Sequence, residues 1–251
     1  MSHPVATKVR TIKRMISIWI NISMKEKMKP IEECLKDAYR IYRSNSPATT
    51  HSKLTRLEDF DEKKVFEEFE RSYIHSVTSK GRDCVVTKDL EEKMRRIVDW
   101  LSTGLQPGLL LYGNLGTGKT ALLRALYLLF SKYRHFSESV VMDSAASIVD
   151  AYGRYKAGDI NTPGLCYGDV LRADPLLIDE LGCEPACKIF GTDYEPMCEI
   201  LCRRYERRQV TVITTNLGDD LLLRTYGRRL WDRLNESYDM ITFEGINFRT
   251  I

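Results

Sequence analysis

The sequence predicts an α/β fold, with a central, mostly parallel sheet carrying helices on both faces in three layers. Three observations predict it. A short apolar run at 108–112, GLLLY, enters the glycine-rich octapeptide GNLGTGKT at 113–120, and a helical stretch leaves it. A second buried run, PLLIDE at 175–180, ends in two carboxylates. A third, the β-branched VTVIT at 210–214, ends in polar residues. Helical patterns separate these runs, so the strands return by crossovers and pair in parallel.

In chain order, Ile12, Met15, Ile16, Trp19 and Ile22 recur at helical spacing among lysines and arginines. This helix either packs on residues 30–42 with its charges in solvent or docks on a partner protein or nucleic acid. Residues 44–52, SNSPATTHS, are small, polar and broken by Pro47, which marks a boundary. Residues 1–52 therefore read as a small helical N-terminal segment with its linker, and 53–251 as the main domain. At 59–75, Phe60, Val65, Phe66, Phe69 and Ile74 share a helical face, which Gly81 ends. Thr87 caps a helix at 88–101 striped by Leu90, Met94, Ile97, Val98 and Leu101. After the glycine-rich loop come a helix at 120–133, a strand at 139–142, a helix at 145–155, a turn-rich loop at 158–164 and a short helix at 169–173. Residues 194–208 form a helix in which Arg203, Arg204, Arg207 and Arg208 complement the dipole at its end and need no ligand. A short helix at 219–224, an arginine-bearing one at 227–234 and a strand at 239–243 complete the domain.

Composition bounds the function. The 251 residues allow one sizeable core with an appendage, and 43% hydrophobic content is that of an ordinary globular protein. A net charge of +3 does not by itself announce a nucleic-acid partner. Seven cysteines in no regular framework fit a reducing compartment. Cys183, Cys187, Cys198 and Cys202 form two i,i+4 pairs; zinc would need all four to converge, and small buried apolar side chains are the expectation. No run approaches the ~20 apolar residues of a membrane span. Lys8, Arg10, Lys13 and Arg14 precede an apolar stretch at 15–24, but Lys25, Glu26 and Lys27 follow it where a cleavage site would stand. The expected compartment is the cytoplasm.

The octapeptide carries the chemistry. It fits GxxxxGK[ST] at every fixed position. Gly113, Gly116 and Gly118 let the backbone turn tightly, so that N–H groups of the loop (with Asn114, Leu115, Thr117 and the following Ala121) converge on a polyphosphate at a helix N-terminus. Lys119 supplies a charge to the β- and γ-phosphates and Thr120 a hydroxyl to Mg²⁺. The expected ligands are ATP and Mg²⁺. Asp179 and Glu180 follow about 60 residues later on a strand whose alternation sends them in different directions. In ATPases with such a loop, the first acid holds Mg²⁺ and the second polarises the attacking water. Asn216, just past the third strand, either orients that water and senses the γ-phosphate or caps the next helix.

With these residues assembled, the region from 59 to 249 resembles the AAA+ P-loop ATPases of the DnaC/DnaI helicase-loader and IstB transposition-helper group. The likeness lies in the order GNLGTGKT, PLLIDELG, RRYERRQVTVITTNL, YGRRLWDRL and GINFR. The resemblance implies that Lys119 and Thr120 serve nucleotide and Mg²⁺, Asp179 and Glu180 form the second acidic motif, and Asn216 is the first sensor. It also implies that Arg233, with Arg229 as the nearby candidate, is an arginine finger acting on a neighbouring subunit, and that Arg249 is the second-sensor arginine. The implied partners are DNA, a replicative helicase or a transposase, and further copies of the chain joined through ATP-bridged interfaces, with no membrane. A nucleotide-dependent switch without turnover is the rival reading, and the presence of Glu180 argues against it.

Overall fold

The computed structural model describes residues 61–104, 106–132, 140–159 and 161–244. The expected N-terminal helix and linker within 1–52, and the 245–249 segment with Arg249, lie outside them.

Two capped helices come first. The Asp61 carboxylate accepts from the backbone N–H groups of Lys63 and Lys64, opening α1, Glu62–Thr78. The Thr87 hydroxyl accepts from Leu90 N–H at 3.2 Å, opening α2, Lys88–Thr103, which Gly104 closes in a left-handed conformation. Each such N-cap contributes about 1 kcal/mol. The apolar stripes Val65, Phe69 and Tyr73 on α1 and Leu90, Met94, Ile97 and Leu101 on α2 are buried together.

The chain then enters β1, Gly108–Gly113, and α3, Lys119–Lys132. β2, Val141–Ser144, leads directly into α4, Ala145–Lys156, and α5, Tyr167–Arg172, precedes β3, Leu176–Leu181. After a hairpin, α6, Pro196–Arg207, and β6, Thr211–Thr215, are followed by α7, Asp219–Ser237, and β7, Tyr238–Phe243. The five long strands pair in parallel in the order β2–β3–β6–β1–β7. Period-two alternation divides their side chains between two apolar clusters. Leu109, Leu111, Leu177 and Val212 face α1, α2 and α3, whereas Leu110, Leu176, Ile178 and Ile213 face α4, α5, α6 and α7. Each of these eight side chains is fully buried, which stabilises the fold by about 2 kcal/mol per residue. The predicted three-layer α/β fold with a central parallel sheet is the fold observed.

Several local expectations are corrected. β2 begins two residues later than expected and runs to Ser144, because Asp143 and Ser144 still pair with Ile178 and Asp179 of β3. Ser144 is also the N-cap of α4, accepting from Ser147 N–H, so strand and helix share it. The hairpin of β4, Cys187–Ile189, and β5, Thr192–Tyr194, was not expected, since strands of three residues carry no readable period. Its turn holds Phe190 and Gly191 at positive φ and leaves Phe190 89% exposed. The last two expected helices form one assigned element that departs from helical geometry only at Gly227, φ 75° and ψ 165°.

Arg204 is not a solvated dipole partner. It is 2% exposed, and its guanidinium donates to Ala173 O (2.8 Å), Val210 O (2.6 Å) and Thr211 Oγ1 (2.7 Å). Burial lowers its pKa to about 10. No helix among the described residues is long and apolar enough to cross a membrane.

Candidate nucleotide site

The carboxyl ends of β1, β3 and β6 lie side by side at the centre of the sheet, where chain reversals gather polar groups. β1 delivers the loop 113–118. Gly113, Gly116 and Gly118 all hold positive φ, at 122°, 76° and 94°. A Cβ on Gly113 would sit 2.3 Å from Phe243 O, so only glycine fits where the loop leaves the strand. Asn114 N–H donates to that same carbonyl at 2.8 Å.

Lys119, 6% exposed, donates its ammonium to Gly113 O at 2.8 Å and Asn114 O at 2.5 Å, folding back over the loop it follows. The Thr117 hydroxyl donates to Asn114 O at 2.8 Å. Thr120, one residue into α3, donates to Asp179 Oδ1 on β3 at 3.1 Å. Leu115, Gly116, Lys119 and Ala121 line one wall of a cavity that Glu180 and Asn216 line from β3 and β6. α1 and the turn after it line it as well, through Tyr73, Lys80, Arg82, Cys84 and Val85. These residues are not legible as part of a site in the sequence, because they have no motif spacing.

Asp179 and Glu180 are separated by a device other than alternation. Asp179 shares the face of Leu177 and points to α3, while regular alternation would send Glu180 to the opposite face. Instead Glu180 has φ +59°, the β3–β6 register slips between Ile178 and Leu181, and the side chain lines the same cavity as Thr120. Thr214, 1% exposed, donates to Asp179 Oδ1 at 2.5 Å and accepts Glu180 N–H at 3.0 Å. From sequence there is only a general reason to expect polar groups at this strand tip. Asn216 lines the cavity and is not the helix cap, since Gly218 occupies the N-cap of α7.

The arginine expectations divide. Arg233 lies against its own chain, its side chain 17% exposed, bonded to Glu206 at 3.1 Å and stacked 5.0 Å from the Tyr205 ring centroid. Within this single chain Arg233 braces α7 on α6, and the finger role expected of it, with Arg229 as the nearby candidate, belongs to an interface with a second copy. Arg228 pairs with Asp232 at 3.6 Å, whereas Arg229 is exposed and makes no ion pair with a described residue. Just before the Gly227 break, the Tyr226 hydroxyl donates to Glu184, whose other oxygen accepts Gly182 N–H at 2.7 Å. Burial and that bond raise the Tyr226 pKa well above the phenol range. The loop after the acids is thereby tied to the half of α7 that precedes the Gly227 break.

Cys187 is buried and Cys198 and Cys202 are half-buried, but Cys183 is exposed, against the expectation of burial. No group of three or more metal-ligating side chains occurs among the described residues.

No protein-family model matches the chain, and no curated protein matches it. Among solved structures it is similar to AMPPCP-bound DnaA from Aquifex aeolicus, with 21% identity, TM-score 0.48 and coverage of 66% of this chain and 50% of that one. The chain thus spans half the length of that protein. It is similar to the DnaC helicase loader, with 17% identity, TM-score 0.49 and coverage of 68% and 98%. A third similar structure is DnaI, with 20% identity, TM-score 0.41 and coverage of 80% and 91%.

Proposed function

We propose that the chain is an AAA+ ATP hydrolase of DNA replication that acts as a DnaC-like loader of a replicative helicase onto DNA. The observation that carries the ATPase reading is the bond from Thr120 to Asp179, made beside a lysine-closed glycine loop in a cavity that Glu180 also lines. The order of motifs along the chain supports the helicase-loading part.

The residues fit ATP and Mg²⁺. Positive-φ glycines let the loop's N–H groups turn toward a phosphate, and Lys119 offers a buried ammonium that donates to two loop carbonyls, a role a phosphate can take over. The Thr120 hydroxyl and Asp179 carboxylate are hard oxygen donors, the type Mg²⁺ selects when it bridges one or two protein groups to phosphate. When bound, Mg²⁺ neutralises charge on the β- and γ-phosphates. Lys119 orients the terminal phosphate, Asp179 and Thr120 fix the metal's place, and Glu180 accepts a hydrogen bond from the attacking water. Asn216 holds that water from the adjacent strand. Arg229, exposed on the half of α7 beyond Gly227, reaches the phosphates of a neighbouring copy.

Lys119→Ala is expected to lose ATP binding in a fluorescent-nucleotide titration. Glu180→Gln keeps binding and loses about 10²–10⁴-fold in turnover. Wild-type turnover in Glu180→Gln contradicts the role given to Glu180. Pull-down against the replicative helicase of the source cell tests the partner, and capture of a transposase in its place replaces helicase loading with transposition assistance.

A further inference from the structure

We propose that Thr214 is the positioning residue of the two acids, its one buried hydroxyl fixing the Asp179 carboxylate and the Glu180 backbone together. The inference rests on the reading of this cavity as an ATPase centre.

A threonine hydroxyl has one proton and two lone pairs. Here one lone pair accepts Glu180 N–H at 3.0 Å, so the proton is directed to Asp179 Oδ1 at 2.5 Å. The second bond lies at the short end of the range for a hydroxyl on a carboxylate. The first repairs the sheet. From Ile178 to Leu181 the chain advances three residues on β3 against two on β6, Ile213 to Thr215, which is a one-residue bulge. The backbone N–H that the bulge removes from the ladder is that of Glu180, and the side chain of Thr214 receives it. Glu180 is thereby held at φ +59°, a conformation that costs a non-glycine residue about 1–2 kcal/mol. Without that conformation the Glu180 side chain would leave on the far face of the sheet.

The same oxygen thus determines where both acids stand. Asp179 Oδ1 receives hydroxyls from Thr214 and from Thr120, which fixes the carboxylate plane against α3. Thr214 has the strand parity of Val212 and is sealed from solvent, and the bonds of its hydroxyl go to Asp179 and Glu180, so its contribution runs through the acids. A threonine kept only for strand propensity would be replaceable by valine, which has the same branched shape and no hydroxyl.

The test compares Thr214→Val and Thr214→Ser in the full chain, with Asp179→Asn and the Asp179→Asn/Thr214→Val double variant. A fluorescent ATP analogue is titrated with chelator and with Mg²⁺, and turnover is followed against Mg²⁺ concentration. Thr214→Val is expected to bind nucleotide normally in chelator, to need roughly 10–100-fold more Mg²⁺, and to turn over slowly even at saturating metal. Thr214→Ser is expected to restore both. In the Asp179→Asn background the valine change should leave the metal requirement unmoved, because its route to the metal is already gone.

A Thr214→Val protein with wild-type metal requirement and turnover overturns the proposal, as does a metal effect of equal size in the double variant. If the valine variant does not fold, Thr214→Ala replaces it in the same titration, and equality with Thr214→Ser overturns the proposal. A wild-type chain with no metal-dependent nucleotide binding or hydrolysis overturns the ATPase reading itself, an outcome distinct from wild-type activity that survives loss of the hydroxyl.

Discussion

Arg203 and Arg204 are adjacent on α6, yet only the second is sealed inside, where three acceptors surround its guanidinium. Its role is to close the seam between the end of α5 and the start of β6, where it is the donor to Ala173 O and a second donor to Val210 O, which also accepts Leu176 N–H at 3.0 Å. Removing it strips Ala173 O of that donor, leaves Val210 O with one, and opens a cavity. Arg204→Ala is therefore expected to destabilise the domain by about 3–5 kcal/mol, while Arg203→Ala changes stability by about 0.5 kcal/mol or less. Urea unfolding of the two variants checks the contrast, and equal midpoints would refute it. Sequence alone does not separate the pair, since both arginines sit near a helix end. The difference arises from helical rotation against a neighbouring strand, and that partner is fixed only by the tertiary fold. The same limit hid Thr214, whose function depends on a bulge in the opposite strand, whereas Lys119, Thr120 and Asp179 announce themselves by local spacing.

At the scale of elements, α1 and α2 do more than cover the sheet. Tyr73 of α1 packs so near the phosphate loop that a Cβ on Gly118 would lie 3.2 Å from its hydroxyl, and burial raises its pKa to about 12. Cys84 and Val85, in the turn between the helices, line the same cavity. That side is expected to receive the base of the nucleotide. Burial first, and then Glu70, push the Cys84 thiol above its ordinary pKa, so its alkylation requires mildly alkaline conditions. ATP should slow alkylation of Cys84 several-fold and leave exposed Cys166 unaffected, as read by peptide mass spectrometry. Equal labelling of Cys84 with and without nucleotide would place the base elsewhere. The second helix was legible because Thr87 and Gly104 punctuate it and its stripe keeps the helical period; the first was legible by period alone, and there Ile74 proves exposed while Tyr73 is buried. The hairpin was illegible because three-residue strands have no period to read, and the end of β2 was blurred because Ser144 serves strand and helix at once.

For the whole molecule, two of the four arginines of α7, Arg229 and Arg233, separate folding from assembly. Arg233 braces α7 on α6 through Tyr205 and Glu206, a contact worth about 1 kcal/mol at its partial exposure. Arg229 has no such partner among the described residues. Arg229→Ala is expected to bind ATP yet lose on the order of 10³-fold in turnover, the scale of a finger supplied by a neighbour. Mixed with Lys119→Ala, it should recover part of the activity, because one interface then pairs an intact arginine with an intact loop. Arg233→Ala should melt earlier and retain turnover. Inactivity of the Arg229→Ala mixture despite co-assembly would exclude a role in trans. The joint between Gly113 and Phe243 has a consequence for the order of events in biosynthesis. The first peptide of the phosphate loop leans on the last residue of the last strand, and β1 lies between β6 and β7. A nascent chain that has already exposed its whole loop still lacks the carbonyl against which that loop is set. On the proposed reading, competence to hold nucleotide is therefore expected only once β7 has paired beside β1.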